Sequence, residues 1–331
     1  MGDGAKGNIE SSGSGPVGLL LASLLFAGGC ASVPLEVARQ DFYRGNFAAA
    51  ETNLTAIPDI QTDKVLVLME RGMIRQERRE YEASALDWIE AANLAEEMDR
   101  YSLSQGAASF VANDRVMDFR GVPYERTLLY TFAAKSFMAL SRWDDAAACA
   151  RNVIARLDKL YDFPDDPYCH YLAGFCLEMA GDSEAAAFQY RVVAKMMEGM
   201  RLDAADGHIG GPTNAPPPPK DPADGKAGEL VCFVSIGRIP MIGRPGFPHP
   251  LAAAPYAEIY DNDTYLGRTY AFTHTARLVT ATQQRLAALK ALKETTRVVA
   301  KEIVSEAVAQ KNELLGEILR LILFAMEVPD M

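Results

Sequence analysis

Four histidines and five cysteines are the side chains best equipped to hold a metal or to act as nucleophiles, and their spacing argues against both roles. His170, His208, His249 and His274 are far apart, none stands in an HExxH arrangement, and no pair of cysteines has the spacing of zinc ligands. No metal and no cofactor is therefore expected. The run GRIPMIGRPG is glycine-rich, but its prolines remove amide donors and no helix start follows, so it does not read as a phosphate loop. Asp165-Asp166 before Pro167 fits a helix N-terminus better than a catalytic carboxylate pair. The densest polar cluster is Asn113, Asp114, Tyr124, Glu125 and Arg126. Capping and pairing between helices account for it, whereas an enzymatic role would require a polar pocket around it. The expectation is a protein that is not an enzyme.

Bulk properties narrow the class further. With 49% hydrophobic and 23% charged residues in 331, the chain has material for two cores. A net charge of -11 spread along the chain would repel a phosphate backbone, which excludes nucleic acid as the expected partner.

The elements that must position these side chains announce themselves by repetition. Ser141, Trp143, Ala146, Ala150 and Val153 recur in type as Gly181, Ser183, Ala186, Tyr190 and Val193. Two weaker copies precede them: Gly45, Phe47, Ala50, Leu54 and Ile57, then Arg79, Tyr81, Ser84, Trp88 and Ala91. Each copy reads as helix, tight turn, helix. Small residues on first helices (Gly72, Ala134, Gly174) should face small residues on second helices (Ser84, Ala146, Ala186), letting the backbones approach. Large residues near each turn then fill the wedge between hairpins. Gly45 to Arg79 is 34 residues, the tetratricopeptide period, and the array resembles tetratricopeptide repeats over about Glu36 to Met200. The 62 residues from Arg79 to Ser141 imply an insertion, placed at 92–123.

Within and after that insertion a second resemblance appears. FVANDRVMDFRGVPYERTLLYTF, Phe110 to Phe132, and GELVCFVSIGRIP, Gly228 to Pro240, are similar to a family of uncharacterised repeat-containing bacterial lipoproteins. Relatives in that family continue beyond the point matching Met331, which implies that the C-terminal domain is incomplete or borrows an element from a partner.

The N-terminus agrees with that family. Val17 to Ala27 is an uncharged apolar run, too short to span a bilayer as a helix but right for a signal peptide. It ends in Ala27-Gly28-Gly29-Cys30, which resembles a lipobox, implying cleavage before Cys30 and a lipid on it. Residues 1–30 are thus read as the signal peptide. No aspartate follows Cys30, so an outer-membrane lipoprotein facing the periplasm is expected. Export exposes the other cysteines to oxidation. Cys169 and Cys176 lie about 10.5 Å apart along one helix axis and cannot join each other. A bridge from Cys149 to either one, or buried unpaired thiols, remain the alternatives.

The remaining organisation follows from composition. Residues 31–202 form the repeat domain, 203–227 a Pro/Gly-rich linker containing Pro216 to Pro219, and 228–331 a small α+β domain. That last domain should hold a strand at Leu230 to Ile236, a hairpin around Asp261-Asn262-Asp263, and amphipathic helices from Thr275 onward. The fold class is mainly α: a TPR-like solenoid followed by that domain.

In a right-handed stack of hairpins the first helices line the concave groove. Its non-core positions are Leu66, Met69 and Met73, then Leu128, Thr131 and Lys135, then Tyr168, Tyr171 and Phe175. Such a face suits an extended peptide or a helix, unless the insertion or the C-terminal domain already fills it. The leading functional reading is a lipid-anchored periplasmic scaffold that binds another envelope protein through this groove. The alternative is an accessory factor that activates cell-wall synthesis or outer-membrane assembly through its C-terminal domain.

Overall fold

The computed structural model of the chain describes residues 32–57, 64–104, 121–160, 163–215, 229–236, 256–289 and 291. Cys30, Asn113, Asp114, Pro216–Pro219 and the amphipathic stripe from Leu292 onward lie outside the described residues. The fold is mainly α and TPR-like, with a small strand-containing region. It divides into two compact units, residues 1–60 and residues 61–331.

The first unit contains one described hairpin, α1 (Ser32–Tyr43) and α2 (Phe47–Thr55). Ala38, Ala50 and Leu54 are its buried residues, and Asn53 donates a hydrogen bond to Asp41 across it.

The second unit stacks three hairpins: α3 (Lys64–Glu77) with α4 (Tyr81–Ser104), α5 (Pro123–Ala139) with α6 (Trp143–Leu157), and α7 (Pro167–Met179) with α8 (Ser183–Met196). Each second helix packs on the next first helix, and the first helices α5 and α7 touch directly. A common turn sets all the hairpins. Gly45, Arg79, Ser141 and Gly181 each take positive φ, the left-handed conformation that ends a helix. The amide after each one reaches back to the helix just ended: Asn46 N–H to Asp41 O, Glu80 to Arg75, Arg142 to Phe137 and Asp182 to Leu177. This 6→1 bond satisfies a carbonyl otherwise orphaned at the helix end. The next helix then begins one or two residues later.

The small-residue expectation holds for Gly72 and Ser84. Ser84 donates its hydroxyl to the Gly72 carbonyl at 2.7 Å, and a Cβ on Gly72 would sit 2.8 Å from Trp88. Gly174 stands in the same relation to Tyr190. Trp143 near its turn meets Phe175 of the following hairpin, ring centres 6.3 Å apart, which is the wedge contact the spacing predicts.

Helix α4 runs on to Ser104, through the start of the expected insertion, burying Ala92 and Ala95 and bringing Glu96 under the Tyr130 hydroxyl. Residues 203–215 are not linker. β1 (Met200–Leu202) pairs antiparallel with β2 (Ile209–Pro212) around a turn, because Gly207 and Gly211 supply the positive φ that folds the chain back. The stretch 229–236 is extended but has no strand partner among the described residues.

The hairpin expected around Asn262 is present as β3 (Glu258–Asp261) and β4 (Thr264–Arg268), and helix α9 covers residues 275–289. Tyr260, Tyr265 and Leu266 of the hairpin remain exposed. No described helix is long and apolar enough to cross a membrane.

Candidate functional site

Part of the face formed by the first helices is occupied by the chain itself. Residues 229–236 lie along it with the period of a strand. The Glu229 carboxylate meets His208 Nδ1 at 3.0 Å, Val231 packs on the repeat core, Phe233 enters a cup of rings, and the Ser235 hydroxyl accepts from Lys135 Nζ at 3.3 Å. The cup is made by Tyr168, Tyr171 and Phe175, whose ring centres stand 6.1, 6.0 and 5.4 Å from that of Phe233. These angled contacts set ring edges against ring faces, the arrangement the aromatic quadrupole favours.

Helix α7 presents that cup because a polar network holds its N-terminus. Asp166 caps the helix, accepting from the Tyr168 and Cys169 amides, and it also accepts from the Thr273 hydroxyl just before α9. Burial raises the Asp166 carboxyl above its ordinary value, and these four hydrogen-bond donors, the Cys169 thiol among them, offset part of that rise. Beside it, both His170 ring nitrogens face oxygens, Gln189 Oε1 at 2.7 Å and Asp165 Oδ1 at 3.1 Å. Burial alone would lower the His170 pKa, yet hydrogen bonds to Asp165 and Gln189 and the nearby charge raise it. Asp165 is shifted down in turn, since its bonds to His170 and the Asp166 amide outweigh its burial.

The end of the array is sealed differently. Tyr171 donates to the Gly207 carbonyl at 3.0 Å, while Gly207 lies so close to Tyr190 that a Cβ there would sit 2.5 Å from its ring. Phe272 adds a ring 5.1 Å from Tyr171.

The groove residues read from the sequence therefore fall into distinct places. Tyr168, Tyr171, Phe175 and Lys135 meet the internal segment. Thr131 is wholly buried, donating to Thr127 O and lying 3.4 Å from Cys169 Sγ. Met69, Met73 and Leu128 are half-buried against the core, and Leu66 is half-buried nearby on α3. At Lys135, Tyr168, Tyr171 and Phe175 this face holds residues of the C-terminal region.

In the polar cluster, Glu125 accepts from the Val122 amide and so caps α5, while Tyr124 packs against Leu278 and Val279 of α9 and donates to Glu125. Burial raises both the Tyr124 and Glu125 pKa values. Arg126 is half-buried beside them. Cys149, Cys169 and Cys176 are buried free thiols, and burial pushes those of Cys149 and Cys176 up to about 12, so they are inert as nucleophiles. Among the described residues no group of three or more His, Cys, Asp or Glu could hold a metal ion.

Sequence reasoning missed Glu229, Phe233, Ser235 and Thr273 as contact residues. The alternation in 229–236 was the available sign. It points the wrong way, because the outward set, Leu230, Cys232, Val234 and Ile236, is the more apolar.

No family model and no curated protein matches the chain. Among solved structures it is similar to MamA, at 11% identity and a TM-score of 0.37, over 54% of this chain and 84% of that one. It is also similar to the Rap conjugation gene regulator of plasmid pLS20 in complex with the Phr* peptide, at 18% identity and 0.36. That likeness covers 57% of this chain and 48% of the regulator, so the chain spans about half its length. A third is a putative kinesin light chain of Podosopora anserina with nearly identical TPR-like repeats, at 11% identity and 0.35, over 50% and 74%. No function is carried from these three to this chain.

Proposed function

We propose that the chain is a lipid-anchored scaffold of the bacterial cell envelope, held at the outer membrane through Cys30 and facing the periplasm, which binds another envelope protein through the concave face of its repeats. The observation that supports this reading is the seating of Phe233 among Tyr168, Tyr171 and Phe175, a contact that an extended segment of a partner could make in the same way. Stacked hairpins present such a face without needing a catalytic group.

A photo-cross-linking residue in place of Tyr168, in cells expressing the full chain, tests it. A discrete adduct with one envelope protein is expected, and adducts only within the chain would sink the scaffold reading. For the anchor, Cys30→Ser should release the protein from the membrane fraction and remove the lipid mass; unchanged fractionation and mass would refute it.

The accessory-factor reading draws on the exposed hairpin. Tyr256, Tyr260 and Tyr265 form an aromatic surface with Arg268 set against Tyr256, suited to docking on an enzyme or assembly machine. Replacing Tyr260 and Tyr265 by Ser and measuring cell-wall synthase activity in the presence of the full chain decides it, since unchanged activation argues against the hairpin.

A further inference from the structure

We infer that the concave face is a reading site for a partner's extended segment of the pattern carboxylate–x–aliphatic–x–aromatic–x–hydroxyl or carboxylate, and that residues 229–236 are an internal stand-in which such a segment displaces. This deepens the scaffold reading and rests on it.

The pattern is read directly from the seated segment. Glu229, Val231, Phe233 and Ser235, at every second position, each meet one station on the repeats: His208, the apolar core, the aromatic cup and Lys135. Each station has its own chemistry, so a sequence code follows from the geometry. The last station is under-used. Burial lowers the Lys135 pKa, with Glu77 working against the shift; its ammonium lies over the Phe132 ring, 5.2 Å from the centroid, and the group that the segment offers it is the neutral Ser235 hydroxyl. A carboxylate at that position would pair with it.

The occupant is held by the side chains of one face. No backbone bond from 229–236 to another described element is present. The opposite side chains stay outside, Leu230 at 65% exposure, Val234 at 42% and Ile236 at 47%. Within the segment Val231 and Phe233 are the half-buried residues, while Glu229 and Ser235 stay exposed and reach His208 and Lys135 with their polar tips, so the apolar pair anchors the segment and the polar pair sets its register. A competing segment that satisfies the same stations exchanges with it without unfolding the repeats.

Cys232 points outward and is exposed, whereas Cys149, Cys169 and Cys176 are buried, so the full chain carrying Cys30→Ser takes a fluorescent label at Cys232. The probe is a synthetic peptide of residues 228–237 with Cys232→Ser. Titrating it should lower the anisotropy of the label as the internal segment leaves. Ser235→Asp in the peptide should act at roughly ten-fold lower concentration, about 1.4 kcal/mol, while Phe233→Ala in the peptide should abolish the effect. Placing Phe233→Ala in the protein instead, with helicity checked by circular dichroism, should tighten peptide binding at least ten-fold. Equal binding to both proteins, or no binding to the folded Phe233→Ala protein, overturns the proposal. An anisotropy drop on mixing labelled with unlabelled full chain, without peptide, also overturns it, since the displacing segment is then a second copy. A peptide that displaces as expected, alongside Tyr168 cross-links confined to the chain, leaves the reading site standing and removes the scaffold reading alone.

Discussion

The hairpins α3–α4 and α7–α8 are built on one frame and hold different things. In both, a glycine on the first helix lies against a large ring on the second, Gly72 under Trp88 and Gly174 under Tyr190, and a positive-φ residue, Arg79 or Gly181, makes the turn. Trp88 then stacks on Phe132 of the next hairpin, ring centres 4.9 Å apart. Among the described residues Tyr190 has no next hairpin beside it, and the β1–β2 ribbon presses Gly207 onto its ring instead. The ribbon therefore does for the last repeat what a neighbouring repeat does for an inner one, covering an apolar face that cannot be left in water. The concave sides differ too. Met69 and Met73 of α3 settle into the core, whereas Tyr168, Tyr171 and Phe175 of α7 take rings from the C-terminal region. The frame makes the hairpin; the residues off the frame decide what it holds.

The ribbon's role as a substitute neighbour is the easiest part of this comparison to break. Gly207→Ala puts a Cβ into the Tyr190 ring and forces positive φ on an alanine, and should cost about 3 kcal/mol in denaturant unfolding. Gly45→Ala keeps the backbone strain (φ +79°) but meets nothing within 4 Å, so about 1 kcal/mol is expected. Equal losses would mean that the ribbon does not seal the array.

The next pair asks how the two hairpins are held. Asp87 on α4 is 3% exposed and is clasped by Arg71 and Arg75 at 2.6 and 2.8 Å. Asp87→Ala should cost about 2–3 kcal/mol by removing the buried carboxylate that two half-buried guanidiniums share. Asp166→Ala on the other hairpin removes a cap and its bond to Thr273, and about 1–2 kcal/mol is expected by thermal melting. A reversed order would make α7 the more tightly held helix.

The turns offer a gain. Arg79 and Ser141 adopt a conformation that L side chains resist, so Ser141→Gly should stabilise by up to about 1 kcal/mol. The same change at a residue outside these turns should not.

The smallest effect is in pH. With its pKa raised above the usual 6.5, His170 contributes stability that is complete below that value and lost as pH rises through the folded value. Asp165, shifted below its usual 3.8, contributes above that value and loses its share as pH falls through the folded one. Melting temperature should therefore decline modestly from pH 6 to pH 9, and His170→Gln should flatten the decline. Such a dependence has no counterpart among the described residues of α3–α4, which contain no histidine.

Much of this was written locally in the chain. The four turns could be placed from Gly45, Arg79, Ser141 and Gly181, the start of α7 from Asp165-Asp166-Pro167, and the β3–β4 turn from Asn262, because each depends on backbone preferences within a few residues. Hairpin packing was legible from the small residues at Gly72 and Gly174, since no larger side chain fits under Trp88 or Tyr190. What the tertiary structure alone decided is non-local. It seated Val231 and Phe233 rather than Leu230, Val234 and Ile236 on the repeats, it turned the start of the expected linker into a ribbon sealing Tyr190, and it left Cys149, Cys169 and Cys176 buried as free thiols. Periodicity tells which residues share a face, but which face is buried depends on the rings and charges that another part of the chain brings to meet it.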